Sequence, residues 1–153
     1  MQRKRLRLVC LLACLAIAIP ALAQFGHPLK GSWSGEWRQN ATTEHRILLE
    51  FNWVGKYGVN AEGGTLSGTL NPGPDSAPMK NLKLTPPTGG VANADAGWEL
   101  HFEADSKDAD GNNVKVVVDG FMENLGAYKR FITGTWQEGG KKGPFRVVAN
   151  FGL

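Results

Sequence analysis

The chain has 153 residues, with 17 basic and 14 acidic side chains and a formal net charge of +3. Four of the basic residues lie among the first seven, which leaves 13 against 14 acidic ones and a net charge of −1 in the remainder. The calculated pI near 9.0 therefore belongs to the N-terminus, and no basic patch remains to favour nucleic acid as a partner.

The first 23 residues have the three parts of a secretory signal peptide. A basic stretch precedes an apolar run of 16 residues, Leu8–Ala23, which ends in the A-x-A pattern Ala21-Leu22-Ala23. This run is shorter than the roughly 20 residues of a membrane-spanning helix. We therefore predict a signal peptide at 1–23, a single mature domain at 24–153, and no membrane insertion after cleavage.

Two alternatives to cleavage after Ala23 stay open. The apolar run would act as an anchor if it were not cleaved, and Leu11-Leu12-Ala13-Cys14 resembles a lipobox, in which Cys14 would be acylated. The lipobox is the weaker interpretation, because the apolar run continues well past Cys14. Cleavage would remove Cys10 and Cys14, so the exported domain would have neither a disulfide nor thiol chemistry. We expect a periplasmic or extracellular location.

Apolar and polar residues alternate with a period of two through the remainder of the chain, as in half-buried β-strands. Eight such segments follow one another, separated by stretches rich in Gly, Pro, Asn and Asp that are typical of turns. In chain order, their apolar sides cover Trp33–Trp37, Ile47–Trp53, Leu66–Leu70, Leu82–Leu84, Trp98–Ala104, Val114–Val118, Ile132–Trp136 and Phe145–Phe151.

The connections between these segments are too short for the crossovers that parallel strands need. The sequence therefore predicts an all-β fold: an antiparallel up-and-down meander of about eight strands, closed or nearly closed into a barrel. A barrel of this size has an interior that is filled by side chains or holds one small ligand.

Three of the segments share a short pattern with glycine at an inward position: Trp33-Ser34-Gly35-Glu36-Trp37, Leu66-Ser67-Gly68-Thr69-Leu70 and Ile132-Thr133-Gly134-Thr135-Trp136. Glycine inside a strand usually marks a sharp bend or the close approach of another backbone. We interpret these glycines as shaping the barrel rather than as contacting a ligand.

A family resemblance rests on short motifs. Gly31-Ser32-Trp33, just after the predicted signal peptide, resembles the G-x-W opening of lipocalins, fatty-acid-binding proteins and avidins, and Leu66–Leu70 is similar to an early avidin strand. With Trp53–Lys56 and Asn71–Pro74, the pattern resembles small exported bacterial β-barrel domains of calycin-type architecture. The resemblance implies this fold and a ligand-binding habit. It transfers no binding residue, because the polar residues with which avidins hold biotin are not matched.

Six aromatic residues are candidates for ligand binding. All five tryptophans, Trp33, Trp37, Trp53, Trp98 and Trp136, fall on faces predicted to point inward. They either fill the core or wall a cavity for an apolar or aromatic ligand. Trp37 and Trp136 lie near strand ends and are the candidates for a barrel mouth. His45 begins a strand on the same side as the inward residues, and we place it at a mouth as well.

Catalytic and metal chemistry find little support in the sequence. His101 and Glu103 share an outward strand face, but no third ligand can be placed beside them, so we predict no metal site. Asp105, Asp108 and Asp110, followed by Gly111-Asn112-Asn113, resemble a calcium loop, but an EF-hand register puts Ser106 and Val117 where Asp and Glu belong. We interpret this segment as a hairpin turn with at most weak affinity for calcium. The chain has no G-x-S-x-G motif, and the inward positions carry no Asp, Glu, Lys or Arg. We expect no catalytic residue, no cofactor and no enzymatic activity.

The sequence thus favours a secreted or periplasmic, non-enzymatic barrel that binds a small, mostly apolar molecule. The alternative is a structural or interaction module with a packed interior that contacts another envelope protein or polymer. The interior of the barrel distinguishes the two, since a small-molecule site needs a cavity of several hundred Å³.

Overall fold

The protein is described by a computed structural model, which covers residues 27, 29–55, 64–87, 97–108, 110–124 and 130–150. The predicted signal peptide, with Cys10 and Cys14, lies outside these described residues, and so does Phe151. Among the described residues, no helix is long and apolar enough to cross a membrane.

Eight antiparallel strands form a closed barrel in which each strand pairs with its neighbours in the chain. Strand β8 closes the ring by pairing with β1, from Ser32 opposite Asn150 to Trp37 opposite Phe145. The all-β, up-and-down barrel predicted from the alternation is therefore confirmed. The strands are β1 (Gly31–Arg38), β2 (Glu44–Val54), β3 (Thr65–Leu70), β4 (Ala77–Thr85), β5 (Trp98–Lys107), β6 (Asn113–Glu123), β7 (Phe131–Glu138) and β8 (Lys141–Asn150).

The up-and-down order places the connections alternately at two ends of the barrel. One end, here called the hairpin end, carries the connections 39–43, 71–76, 108–112 and 139–140. The other, here called the plug end, carries the segment before β1. There, Leu29 is fully buried and its carbonyl accepts a hydrogen bond from Trp33 Nε1 at 2.8 Å. The ring of His27 stacks on Trp53 with the centroids 4.4 Å apart. Residues 27, 29 and 30 thus form a plug at this end.

Interlocking aromatic rings occupy the interior. Phe51 meets the rings of Trp33 and Phe102 edge to face, with centroid distances of 6.5 Å in both cases. Trp136 meets Phe102 at 6.2 Å and Phe145 at 6.0 Å in the same manner. Edge-to-face contacts of this kind add to the stabilisation that comes from burying the rings. In the part of the chain that the structure describes, no polar or charged residue is buried.

The inward glycines allow strands to approach closely. A Cβ on Gly35 would lie 1.9 Å from the carbonyl oxygen of Arg146 in β8, and one on Gly134 would lie 2.2 Å from that of Asp119 in β6. At Gly68 the nearest atom is instead the sulfur of Met79, at 2.4 Å. Since real Cβ atoms do not approach other atoms this closely, side chains at Gly35 and Gly134 would force neighbouring backbones apart. The interpretation of these two glycines as shaping the barrel is confirmed.

The plug holds His27 in its neutral form, which makes stability depend on pH. Nδ1 of His27 accepts a hydrogen bond from the Leu29 N–H at 3.3 Å, and burial lowers the pKa of the ring to about 4 from its usual 6.5. Because the folded-state pKa lies below the unfolded one, the unfolded chain binds more protons between these two values. Stability should therefore be unaffected above about pH 6.5 and should fall as the pH drops toward 4.

Urea unfolding between about pH 7 and pH 4.5 measures this effect. We expect the His27 contribution to be about 1–2 kcal/mol, after allowance for the partial exposure of the ring. The comparison is with His27→Gln, which has no titrating ring, and the difference in unfolding free energy between the two proteins should change with pH. If that difference stays constant over the range, His27 does not contribute to the pH dependence of the unfolding free energy, and the prediction is wrong.

Candidate functional site

Three of the six candidate ligand-binding residues meet at the hairpin end. Trp37, near the end of β1, lies directly opposite His45 in β2, and their rings stack with centroids 4.7 Å apart and planes 15° apart. Trp37 also stacks with Trp136 of β7, at 6.4 Å and 17°. These three rings are called the mouth stack below. Because Trp37 and His45 belong to one hairpin, the stack forms from a local strand pair and one distant strand.

A side-chain-supported turn sets the register of that hairpin. The side-chain oxygen of Asn40 accepts hydrogen bonds from the backbone N–H groups of Thr42 and Thr43, at 2.9 and 2.8 Å. Gln39 N–H also donates to the Thr43 carbonyl at 3.1 Å. Asn side chains favour such turns because they take the place of a backbone acceptor. The turn therefore fixes which residue of β2 faces Trp37.

The polar atoms of the mouth stack differ in their hydrogen bonding. Nε1 of Trp136 donates to the carboxylate of Glu138 at 3.0 Å. By contrast, Nε2 of His45 is buried and has no hydrogen-bond partner among the described residues. Leaving a buried polar group unpaired costs about 1–3 kcal/mol. His45 is thus a position in the stack at which a new hydrogen bond would remove an existing cost, provided that the ring moves enough to expose Nε2.

An open cleft of about 380 Å³ lies over the mouth stack, between the connections at the hairpin end. This volume falls within the roughly 300–1,000 Å³ that is usual for small-molecule sites. Its apolar wall is formed by Trp37, Ile47, Leu70 and Trp136, together with the ring of His45. Its charged rim consists of Glu44, Arg46, Lys107, Asp108 and Glu138.

Part of this rim is held rigidly by a hairpin turn. The carboxylate of Asp108 accepts the backbone N–H groups of Asp110 and Asn112, at 3.0 and 2.9 Å. These hydrogen bonds, chiefly those from Asn112, hold the pKa of Asp108 below its usual value. The interpretation of this acidic segment as turn chemistry is therefore confirmed, and Asp108 presents a fixed negative charge to the cleft.

The two tryptophans of the stack are almost completely covered. Trp37 and Trp136 each expose 1% of their surface, whereas His45 is half-buried. A molecule entering the cleft would therefore meet His45 and the charged rim before it reached an indole face. The prediction that Trp37 and Trp136 lie near one end of the barrel agrees with the structure, but both belong to the core as well.

The other three tryptophans lie away from the mouth stack. Trp33 and Trp98 are buried, at 1% and 4% exposure, and Trp33 binds the plug through Leu29. Trp53 is half-buried and stacks on His27. These three therefore pack in the core or against the plug, toward the opposite end from the cleft.

The outward acid and histidine of β5 do not act as a pair. Nδ1 of His101 lies 2.7 Å from a carboxylate oxygen of Asp119, whereas Glu103 binds Lys115 at 2.7 Å. The hydrogen bond from Lys115 lowers the pKa of Glu103. Over the described ranges, no three His, Cys, Asp or Glu side chains are grouped so as to hold a metal ion.

Glu138 and Asp119 were not among the candidates from the sequence. Glu138 follows Trp136 by two residues and so shares its strand face, which is a pattern that the sequence does contain. The pairing of Asp119 with His101 depends on the register between β5 and β6, which alternation alone does not fix.

No protein-family model matches this chain, and no curated protein or solved structure shows significant similarity to it. The closed eight-stranded barrel is compatible with the calycin-type architecture that its sequence resembles.

Proposed function

We propose that this protein is a non-enzymatic binding module, exported to the periplasm or beyond, that takes a small, mostly apolar molecule at its hairpin end. The observation that carries the proposal is the mouth stack. Three aromatic residues from three strands lie beneath one cleft of about 380 Å³, and the ring nitrogen of His45 there has no partner among the described residues. The resemblance to calycin-type domains, many of which bind small ligands, also supports the proposal.

The ligand that best suits this cleft is a compact ring with one polar edge. Its flat face would pack on the half-buried ring of His45, because the apolar side chains around the cleft are almost completely covered. Its polar edge would bond to Nε2 of His45 once a small rotation of the ring exposes this buried nitrogen, which donates or accepts according to the tautomer of the ring. A long acyl chain suits the site less well, because Phe102 and Phe145 pack against Trp136 on the interior side.

Binding without catalysis is supported by the chemistry of the interior. Proton transfer needs a titratable group within hydrogen-bond reach of the reacting atom. Within the described residues, no Asp, Glu, Lys, Arg or His is fully buried among the interior rings. The cleft does have titratable groups, His45 and the charged rim, but these lie at the surface of the barrel rather than in a closed site.

Titration with ring-shaped probes tests this proposal. We expect anilinonaphthalene sulfonate and naphthol to change the tryptophan emission saturably, because any occupant of the cleft lies close to Trp37 and Trp136. His45→Ala should weaken binding about tenfold, through loss of one stacked ring and one hydrogen bond. His45→Phe keeps the stacked ring and removes the nitrogen, so it should give an intermediate loss.

The control is Val54→Ala, which shortens an exposed apolar side chain at the plug end of β2 and should leave the titration unchanged. The proposal fails if a folded protein responds to none of the probes, or if His45→Ala binds them as tightly as the original protein does.

The packed interior favours a second candidate function. A barrel filled by interlocking rings is a rigid body, and such a body suits a structural or interaction module that contacts an envelope protein or polymer through its outer surface. If a folded protein shows no change in tryptophan emission with any probe, the small-molecule function is wrong and this second function is favoured.

A further inference from the structure

A groove of about 300 Å³ crosses the outer wall of the barrel over β4, β5, β6 and β7. This outer groove is lined on its floor by Lys83, Glu99, His101, Asp119, Phe121 and Thr135. Strands β5, β6 and β7 beneath it are paired without a break. In β5 and β6 the pairing includes Trp98 opposite Met122, and in β6 and β7 it includes Glu123 opposite Phe131. Because the strands are held in this way, the side chains of the groove have fixed spacings before any ligand binds.

Four polar side chains form a row across the groove. Lys83 lies opposite His101, His101 opposite Asp119, and Asp119 opposite Thr135, each on the next strand of the sheet. The bond between His101 Nδ1 and Asp119 Oδ1, at 2.7 Å, orients both side chains. It leaves Nε2 of the ring and the second carboxylate oxygen for other partners, and 69% of the Asp119 side chain is exposed.

An exposed ring stands beside this row. Phe121 follows Asp119 at the next outward position of β6 and exposes 52% of its surface. Among the described residues, it is the one aromatic side chain that is largely exposed. Its cross-strand neighbours, Glu99 and Thr133, are both polar. An apolar ring with hydrogen-bonding groups on every side suits a partner that has both an apolar face and a polar edge.

We propose that the outer groove binds a neutral saccharide chain. A sugar ring has a face of C–H groups that would stack on Phe121, and an edge of hydroxyls that would donate to the Asp119 carboxylate and to Nε2 of His101, because Nδ1 of that ring already donates to Asp119. Hydrogen bonds to a carboxylate are the stronger kind, so Asp119 is the main polar contact. Its polar row spans four adjacent strands, about 14 Å at roughly 4.8 Å between neighbours, and therefore suits a chain rather than a single sugar.

The charges of the groove favour a neutral partner over an ionic one. Lys83 is balanced by Glu99, and the carboxylate of Asp119 is hydrogen-bonded to His101, so the floor has no cluster of positive charge and no unpaired pair of carboxylates. Anionic polymers and nucleic acids are attracted by clusters of positive charge, which this surface does not present. This surface is separate from the mouth stack, so the proposal is independent of small-molecule binding there.

Retention of the protein on insoluble cellulose, chitin, starch and a β-1,3-glucan tests the proposal. We expect retention on at least one of these neutral polysaccharides, with little change on adding salt. Phe121→Ala and Asp119→Asn should each lower the association constant about tenfold, as expected for one lost stacking or charge-assisted contact. Val54→Ala, which shortens another exposed apolar side chain outside the groove, is the matched control and should bind normally.

Unfolding in urea should show that Phe121→Ala and Asp119→Asn are folded, because both residues lie on the surface. The proposal is overturned if none of the four polysaccharides retains the protein. It is also overturned if Phe121→Ala binds as the original does, or if retention occurs only on an anionic polymer such as heparin and disappears with salt.

Discussion

Replacement of Gly134 by alanine is expected to destabilise the barrel severely, by about 3 kcal/mol. Gly134 in β7 lies opposite Gly120 in β6, and an added Cβ would come within 2.2 Å of the Asp119 carbonyl oxygen and 2.5 Å of the Gly120 Cα. Both of these atoms belong to the backbone, so no side-chain rotation relieves the clash. The methyl group would have to separate two strands that are paired continuously from Val116 to Glu123 of β6.

The midpoint of urea unfolding, followed by tryptophan emission, measures this effect. Gly97→Ala is the matched control, because a Cβ there would meet only side-chain atoms, at 3.5 Å or more, an ordinary contact distance. It should change the free energy of unfolding by no more than about 0.5 kcal/mol. An unchanged midpoint for Gly134→Ala would contradict the close approach of the β6 backbone to position 134.

Trp136→Ala should cost about 3–5 kcal/mol of unfolding free energy, a large part of the stability of a small domain. The Trp136 ring contacts Trp37, Phe102 and Phe145, and its N–H donates to Glu138. Its removal would leave a cavity among rigid rings that cannot collapse to fill it. The change would also remove the mouth-stack ring that contacts Phe102 and Phe145, so these contacts between the stack and the interior would be lost.

Phe121→Ala provides the comparison for this experiment. It also removes an aromatic ring from a strand, but Phe121 is 52% exposed on the outer wall, so we expect a loss of less than about 1 kcal/mol. The two variants together measure the difference between inward and outward positions of one barrel. Similar losses for both would contradict the assignment of the two faces.

Alternation of apolar and polar residues predicted the order of the strands well, and β4 shows where it fails. The sequence indicated only Leu82–Leu84, whereas the strand spans Ala77–Thr85. A bulge lies between Lys80 and Lys83, at which the pairing with β5 shifts, and Asn81 there has a φ of 53°. The extra residue moves the inward positions from 77 and 79 to 82 and 84, which breaks the period of two that the prediction relies on.

The candidate site could be predicted only in part. The stacking of His45 on Trp37 follows from one short hairpin, so its placement at a barrel end was within reach of the sequence. The contact between His27 and Trp53 joins the plug to the end of β2, and no local pattern specifies it. The buried, unpaired nitrogen of His45 likewise depends on packing from several strands.

Closure of the barrel by β1 and β8 has a consequence for the order of folding. Ser34 and Asn150, which are 116 residues apart, are joined by a hydrogen bond at 2.9 Å, whereas every other strand pairs with its immediate successor. Loop closure becomes less favourable as the enclosed segment lengthens. The hairpins should therefore form first, and the pairing of β1 with β8, here called the seam, should form last. During synthesis, β1 keeps one open edge until β8 has been made, and open edges are where chains pair wrongly with one another. The seam is therefore the point at which this protein is most exposed to aggregation before it is complete, and the point that a chaperone would have to shield.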